Sequence, residues 1–324
     1  MKMYINGNWT SGTSQIEVVN PYSGKPIDTV PAATVEDVEM AIKSAERGAN
    51  AMRALSAFDR YEILMRAVVL LNERRQDLGE TITNEEGKVI SEGLLEVDRC
   101  VQTITWSAEE AKRLFGETIP LDAAPGNEMK FGFTVRVPVG IVVAISPFNF
   151  PLNLVAHKTA PAIAGGCPFV MKPASKTPLG AIIMGEVLAE TDLPEGAFSV
   201  LPASRDGADL FTVDERLKLL SFTGSPAVGW DLKARCGKKK VVLELGGNAA
   251  VVVDHDADLD DALDRIIFGA FYQSGQSCIG VQRIIVHEDV YDRFRDMLVA
   301  KTKTLVAGDP KDRDTFIGPM ISEG

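Results

Sequence analysis

Gly140-Ile141-Val142-Val143-Ala144-Ile145-Ser146-Pro147-Phe148-Asn149-Phe150-Pro151 decides how this chain folds. A short apolar run, Ile141 to Ile145, gives way to small and polar residues and then to a proline suited to the first turn of a helix. The same unit recurs downstream: Phe169 to Lys172, Phe198 to Leu201, Leu217 to Phe222 and Val241 to Leu245 read as strands, each separated from the next by a helical stretch. Strands alternating with helices predict an α/β fold, a parallel sheet wrapped on both faces, with ligands beyond the carboxyl ends of its strands.

Upstream of this unit, residues 4 to 30 read as short strands punctuated by turns at Asn6-Gly7-Asn8 and Asn20-Pro21-Tyr22-Ser23-Gly24. From Val35 to about Leu114, apolar residues recur at helical spacing and predict a helical layer. Gly116 to Pro138 breaks that rhythm, and the period-two run from Phe131 to Val137 predicts a protruding hairpin. After Gly246-Gly247 a further unit is expected, with strands at Ala250 to Val253 and Ile284 to Val286 and helices at Leu259 to Phe271 and Tyr291 to Leu305. The last residues, Gly318 to Gly324, resemble an interior loop more than a finished terminus.

The 324 residues exceed one ordinary domain of roughly 100 to 200 residues, and the apolar and charged fractions of 45% and 24% suit a globular chain. A net charge of −11 disfavours nucleic acid or an anionic membrane as partner. No apolar run approaches the roughly 20 residues of a membrane span. Cys100, Cys167, Cys236 and Cys278 form no CxxC pair, and the N-terminus lacks the layout of a secretion signal, so a reducing cytoplasm is expected. With three histidines, His157, His255 and His287, and no HExxH, no metal site is expected.

Five polar segments carry candidate chemistry, most of them at strand ends and the Cys278 segment between a helix and a strand. Cys278, in Gly275-Gln276-Ser277-Cys278-Ile279-Gly280, is either a cleft-facing nucleophile or a small buried hydrophobe. Glu244 ends an apolar run before two glycines; it is either a carboxylate with a task or an ordinary strand-end charge. Asn149 is an oxyanion donor or a helix cap. Phe222-Thr223-Gly224-Ser225-Pro226 joins strand to helix and offers backbone N–H groups to an anion, although capping alone explains the Ser-Pro pair. Lys172-Pro173-Ala174-Ser175-Lys176 sets a cation at a strand end, either as a ligand contact or as an ordinary solvated lysine.

Taken together, in order and spacing, these segments resemble the aldehyde dehydrogenase superfamily from about Tyr4 to Ser322. Leu243-Glu244-Leu245-Gly246-Gly247 precedes Cys278, which lies 34 positions after Glu244 (278 − 244). The resemblance implies a Rossmann-like parallel sheet forming a cofactor-binding domain over 1–116 and 139–247, an oligomerisation hairpin over 117–138 and a partial α/β catalytic domain over 248–324. It further implies that Cys278 attacks the aldehyde carbon, that Asn149 and the Cys278 N–H hold the oxyanion, and that Glu244 activates the water that hydrolyses the thioester. Lys172 and Ser175 would contact the adenosine ribose and Ser225 the pyrophosphate of NAD or NADP. The rest of the implied cofactor site is Ile145, Ser146, Pro147, Phe148, Asn149, Ala174, Phe222, Thr223, Gly224, Val228, Glu244, Leu245 and Gly246. Because Ser175 and Lys176 stand where an acid would repel a 2′-phosphate, NADP is expected to serve at least comparably to NAD.

Within the superfamily, Pro147 to Leu154 and Gly275 to Cys278 are most similar to the branch of lactaldehyde, phosphonoacetaldehyde, succinate-semialdehyde and non-phosphorylating glyceraldehyde-3-phosphate dehydrogenases. That implies a small polar aldehyde, with Arg99 and His157 as candidates for gripping an anionic tail. Family members are homo-oligomers and continue past Ser322, into a Glu-x-Phe-x-Pro-Val segment at the nicotinamide ribose and a late oligomerisation strand. A chain without these is expected to bind cofactor weakly and turn over little. Two alternatives stand beside this reading: a coenzyme A-acylating enzyme, which Glu244 argues against, and a non-catalytic nucleotide-binding remnant of the fold.

Overall fold

The computed structural model describes residues 1–203 and 205–323; Ser204 and Gly324, the last residue of the unit expected over 248–324, lie outside them. Four short strands lead in: β1 (Met3–Ile5), β2 (Asn8–Thr10), β3 (Gln15–Val19) and β4 (Pro26–Pro31). The helical layer follows as α1 (Val35–Ala54), α2 (Ala57–Glu73), α3 (Arg75–Glu86) and α4 (Ile90–Ala111). Thr34 with Asp37 and Ser56 with Asp59 form reciprocal capping boxes that fix where α1 and α2 begin.

The expected hairpin is much shorter than its sequence pattern. β5 (Thr118–Ile119) pairs antiparallel with β6 (Gly132–Phe133), and the rest of the run to Val137 is not strand. Phe131, Phe133, Val135 and Val137 stay exposed. With no second layer to cover its apolar side, a two-stranded ribbon gains too little from burial to extend further.

The alternating half folds as its sequence predicts. β7 (Ile141–Ile145), α5 (Asn153–Ala164), β8 (Phe169–Lys172), α6 (Leu179–Ala189), β9 (Phe198–Val200), α7 (Arg205–Val213), β10 (Leu217–Thr223), α8 (Pro226–Arg235) and β11 (Lys240–Glu244) follow in order. The sheet runs β11-β10-β7-β8-β9-β1-β2, parallel from β11 to β9, with β1 antiparallel at the far side. Every residue of β7 is buried. Val142 and Ala144 pack into one core with α2 to α6, while Ile141, Val143 and Ile145 pack into another with α1, α7 and α8. A strand covered on both faces has no polar face, which is why its sequence is a continuous apolar run. α1 lies so close to the turn before β9 that a Cβ on Gly48 would stand 2.4 Å from the Gly196 carbonyl carbon. A separate parallel pair, β12 (Ala249–Val253) and β13 (Val281–Val286), packs with α9 (Leu259–Phe271) and α10 (Glu288–Thr302) around a third core. Among the described residues no helix is long and apolar enough to cross a membrane.

Where the helical layer meets the sheet lies a buried ionic network. Lys88, in the link from α3 to α4, is paired with Glu96 and donates to the Asn149 carbonyl at 2.9 Å. Glu96 also accepts the backbone N–H groups of Leu152 and Asn153 at 2.9 and 3.0 Å, so it, and not a local residue, caps α5. Glu85 does the same for α6 through Leu179 and Gly180 at 2.7 and 2.9 Å. Burial pushes the Glu85 carboxyl up to about 8, although those two N–H donors pull it down. Burial likewise raises Glu92 to about 7.

These raised values fix a direction for stability. Between about 4.5 and 8 the folded Glu85 keeps a proton that the unfolded chain has released. Its contribution is therefore complete below that window and is lost as pH rises through it, with Glu92 acting in the same sense. We expect the urea midpoint to fall between about pH 6 and pH 8.5, and to fall less in Glu85→Gln, which carries no proton to lose. An equal fall in both proteins would rule out Glu85 as the source.

Candidate active site

Strand order reverses at β7: β8 and β9 lie on one side and β10 and β11 on the other. At such a switch point the loops leaving two neighbouring parallel strands diverge and open a crevice. Ser146 to Leu152 leaves β7 on one wall, and Gly224-Ser225 leaves β10 on the other. In register, Ile145 stands beside Lys172 and Phe222, and Thr223 stands beside Glu244, so the ends of four strands share this edge.

Asn149 is held from two directions. Its side-chain Nδ2 donates to the Gln276 carbonyl at 2.6 Å, and its own carbonyl accepts from Lys88 Nζ and from Gln273 Nε2, the latter at 2.5 Å. α5 begins only at Asn153, without a side-chain cap. The helix-cap reading of Asn149 therefore does not hold.

Cys278 follows a strained turn over Tyr272–Gly275 in which Gln273 and Ser274 take φ of 61° and 53°, unusual for residues other than glycine. Burial anchors the turn: the Gln273 N–H donates to Glu92 at 3.1 Å and its Nε2 to Glu86 at 3.0 Å. Cys278 itself is exposed, whereas Cys100, Cys167 and Cys236 are buried. The strand-end loop after Glu244 reaches it directly, since a Cβ on Gly247 would lie 2.6 Å from the Cys278 carbonyl oxygen.

Glu244 differs from its expected setting. β11 is the outer strand of the sheet; its Val241 and Leu243 are partly covered, while Val242 and Glu244 face open space. The carboxylate is thus exposed. Beneath it Lys158 donates to Thr223 Oγ1 at 2.7 Å and Ser221 Oγ at 3.2 Å. Burial lowers the Lys158 ammonium to about 8, against the opposing pull of Glu244.

A cavity of about 770 Å³ joins these loops. It is lined by Ser146 to Asn149, Ala174 to Lys176, Phe222 to Pro226, Val228, Leu245, Gly246, Gly275 to Cys278 and Met320 to Ser322. A second hollow of about 530 Å³ contains Ile145 and Lys172 and shares Ser175, Phe222 and Val228 with the first. Every position expected at the cofactor site therefore lines one or the other, except Glu244, whose neighbours Leu245 and Gly246 do. Ser146 Oγ and Ser277 Oγ are buried at this cavity with no hydrogen-bond partner among the described residues. Ser225 is the N-cap of α8 without a side-chain cap bond. The combination suits a polar, anionic ligand at that helix end.

Arg99 and His157 are exposed, and neither lines the Cys278 cavity. Tyr272 stands at the start of the turn leading to Cys278; burial first, then the Glu92 charge, raise its phenol to about 12, while the nearby Arg99 pulls it down. His157 Nε2 lies 3.3 Å from Thr103 Oγ1. Partial burial, then Arg99 and Lys158, push its pKa down, while Glu244 opposes them. Lys88, Glu86, Glu92, Glu96, Gln273, Tyr272 and Lys158 had not been singled out from sequence. The signal for two of them was present: Glu92 and Glu96 precede Cys100 and Ile104 at steps of four, which puts two acids on the buried face of α4.

Comparison with known proteins agrees with this geometry. Residues 9–324 match the model of the aldehyde dehydrogenase family. A 3-sulfolactaldehyde dehydrogenase of Priestia aryabhattai is 44% identical over 322 residues, covering 98% of this chain and 67% of that protein. The crystal structure of aldehyde dehydrogenase 21 from Physcomitrella patens, in complex with the reaction product succinate, superposes with a TM-score of 0.97 at 49% identity, over 99% of this chain and 68% of that one. The glyceraldehyde-3-phosphate dehydrogenase GapN of Methanocaldococcus jannaschii, complexed with NADP, gives a TM-score of 0.90 at 38% identity over 96% and 68%. The chain spans about two thirds of the length of these relatives, and it belongs to the aldehyde dehydrogenase family.

Proposed function

We propose that the Cys278 site oxidises a small polar aldehyde to its carboxylic acid, with NAD or NADP and water, through a thioester on Cys278, in the cytoplasm. The observation that carries this reading is the meeting, at one crevice, of the exposed thiol, an Asn149 amide bonded to the loop two residues before it, and the Glu244 strand end.

In this reading the Cys278 sulfur bonds to the aldehyde carbon, and negative charge collects on the carbonyl oxygen. One N–H of the Asn149 amide is engaged by Gln276, which aims the group and leaves the other N–H, with the Cys278 backbone N–H, for that oxygen. A bound nicotinamide supplies the acceptor for the hydride that leaves the carbon. Glu244 then takes a proton from water as its oxygen attacks the thioester carbon, and the sulfur departs as thiolate. Exposure suits this role, since the carboxylate has solvent at hand.

The residues fit the dinucleotide: Lys172 and Ser175 reach its ribose, Ser225 and the first turn of α8 its pyrophosphate, and the unpartnered hydroxyls of Ser146 and Ser277 await a polar ligand. With Ser175 and Lys176 in place of an acid, NADP serves at least as well as NAD. Residues 1–116 and 139–247 form the cofactor domain, 248–324 contribute to the catalytic domain, and the exposed apolar hairpin over 117–138 is an oligomerisation arm. Arg99 and His157 favour substrates with an anionic tail, consistent with the sulfonate and carboxylate compounds in the names of the relatives.

Two experiments test the proposal. Iodoacetamide is expected to label Cys278 selectively over the three buried thiols, with NADP and NAD each slowing the reaction; uniform labelling without protection by either would exclude an activated cysteine beside a cofactor site. In an aldehyde assay, where this chain is expected to turn over slowly, Asn149→Ala is expected to lower the remaining kcat by on the order of 10²- to 10³-fold. Arg99→Ala is expected to raise KM by about tenfold or more for carboxylate-bearing aldehydes, the loss of a charge-assisted hydrogen bond, while sparing neutral ones. Equal effects on both substrate types would dismiss Arg99 as the tail-binding group.

A further inference from the structure

The third core carries a side-chain cluster that the reaction above leaves unused. β12 and β13 are parallel neighbours whose last residues, Val253 and Val286, are paired. The chain therefore leaves both strands at the same edge: Asp254 and His255 follow one, and His287 follows the other. The His287 N–H donates to the Val253 carbonyl at 2.9 Å, which fixes the two exits against each other. One ligand atom from each of Asp254, His255 and His287 lies within 4.8 Å of the other two, and all three residues are exposed. The two imidazole centroids are 5.3 Å apart. Two of the three histidines of the chain thus meet across 32 residues of sequence (287 − 255).

We propose that Asp254, His255 and His287 form a surface binding site for a first-row divalent transition ion, with Zn²⁺, Ni²⁺ and Cu²⁺ as its ligand class. Two imidazole nitrogens and one carboxylate oxygen are the donors these ions favour, and three protein donors leave a position for water. Mg²⁺ and Ca²⁺ do not fit, because they require a shell of about six or more oxygens and only one is offered. Donors at about 2.0–2.2 Å from a tetrahedral ion stand roughly 3.3 Å apart. Reaching that from the present spacing takes a shift of about 1 Å, within the rotamer freedom of exposed side chains. His287 Nδ1 accepts the Asp289 N–H at 3.2 Å as the N-cap of α10; an ion at the other ring nitrogen moves the ring proton to Nδ1, which gives up that bond and can donate to Asp289 Oδ2, 3.6 Å away. A bound ion cross-links the exits of two neighbouring strands, and it therefore stabilises the fold by linkage.

Because Cys278 is a competing thiol, the titration uses the Cys278→Ser chain and Zn²⁺ alone. Calorimetry is expected to show one equivalent bound, with His255→Ala and His287→Ala each weakening it by at least about tenfold, the loss that even a supporting group can cause, while His157→Ala changes nothing. Zn²⁺ is expected to raise Tm in the Cys278→Ser chain and not in the chain that also lacks both histidines. Cu²⁺ paramagnetic resonance on the Cys278→Ser chain gives a reading that needs no histidine variant: coupling to two nitrogens is expected. Unchanged binding in both histidine variants, no uptake of Zn²⁺, or a Cu²⁺ spectrum without nitrogen coupling would each overturn the site.

Discussion

A single ammonium group ties the helical layer to the crevice. Lys88 has no solvent contact, and its partners are the Glu96 carboxylate and the Asn149 carbonyl. An unpaired charge in that position would cost several kcal/mol, and the pairing with Glu96 leaves the ammonium aimed at the Asn149 carbonyl, which it holds in place. The same Glu96 carboxylate caps α5. The pair therefore sets both where the loop ends and where its helix starts. Position is thus delivered to Asn149 from behind, by groups that never face the cavity.

The second constraint passes through Gln273. Its Nε2 bridges the Asn149 carbonyl and Glu86, and its backbone N–H ends on Glu92. The conformational cost of positive φ at Gln273 and Ser274, of order 1–3 kcal/mol each, is offset by these buried bonds. Asn149 and the Cys278 loop are consequently two ends of one hydrogen-bonded assembly: the Asn149 side chain holds Gln276 while its backbone holds Gln273. Catalytic geometry of this kind tolerates little error, since displacement by about 1 Å can cost on the order of a hundredfold in rate. The buried carboxylates around Lys88 are the physical means of keeping the error small.

The division between what sequence revealed and what it hid follows burial. Strands β7 to β9 were legible because a strand covered on both faces must be apolar throughout and cannot be mistaken for an amphipathic helix of the same length. α9 was legible to the residue, because Asp258 caps its start and apolar periodicity carries it to Phe271. The hairpin was misread in length because alternation at Phe131 to Val137 signals a strand only if something covers one face, and nothing does. Glu244 was misread in burial for the related reason that an apolar run does not say whether its strand lies inside the sheet or at its edge. The ionic network stayed hidden since a charged residue in a helix is ordinarily solvated, and only the phase of Glu92 and Glu96 against Cys100 and Ile104 marks them as inward.

Edge position has a chemical consequence at Glu244. Burial takes the charge from a carboxylate such as Glu85 at neutral pH; the Glu244 carboxylate, proposed above as general base, lies instead on the open side of the outermost strand. What keeps it near the reaction is the close approach of Gly247 to the Cys278 carbonyl, a contact that any side chain at 247 would obstruct. Glu244 can thus remain solvated and still stand within one short loop of the sulfur. Asn149 sits buried against the ionic network, whereas Glu244 sits exposed outside it. The same crevice supplies both environments because it opens between an interior strand, β7, and the edge of the sheet.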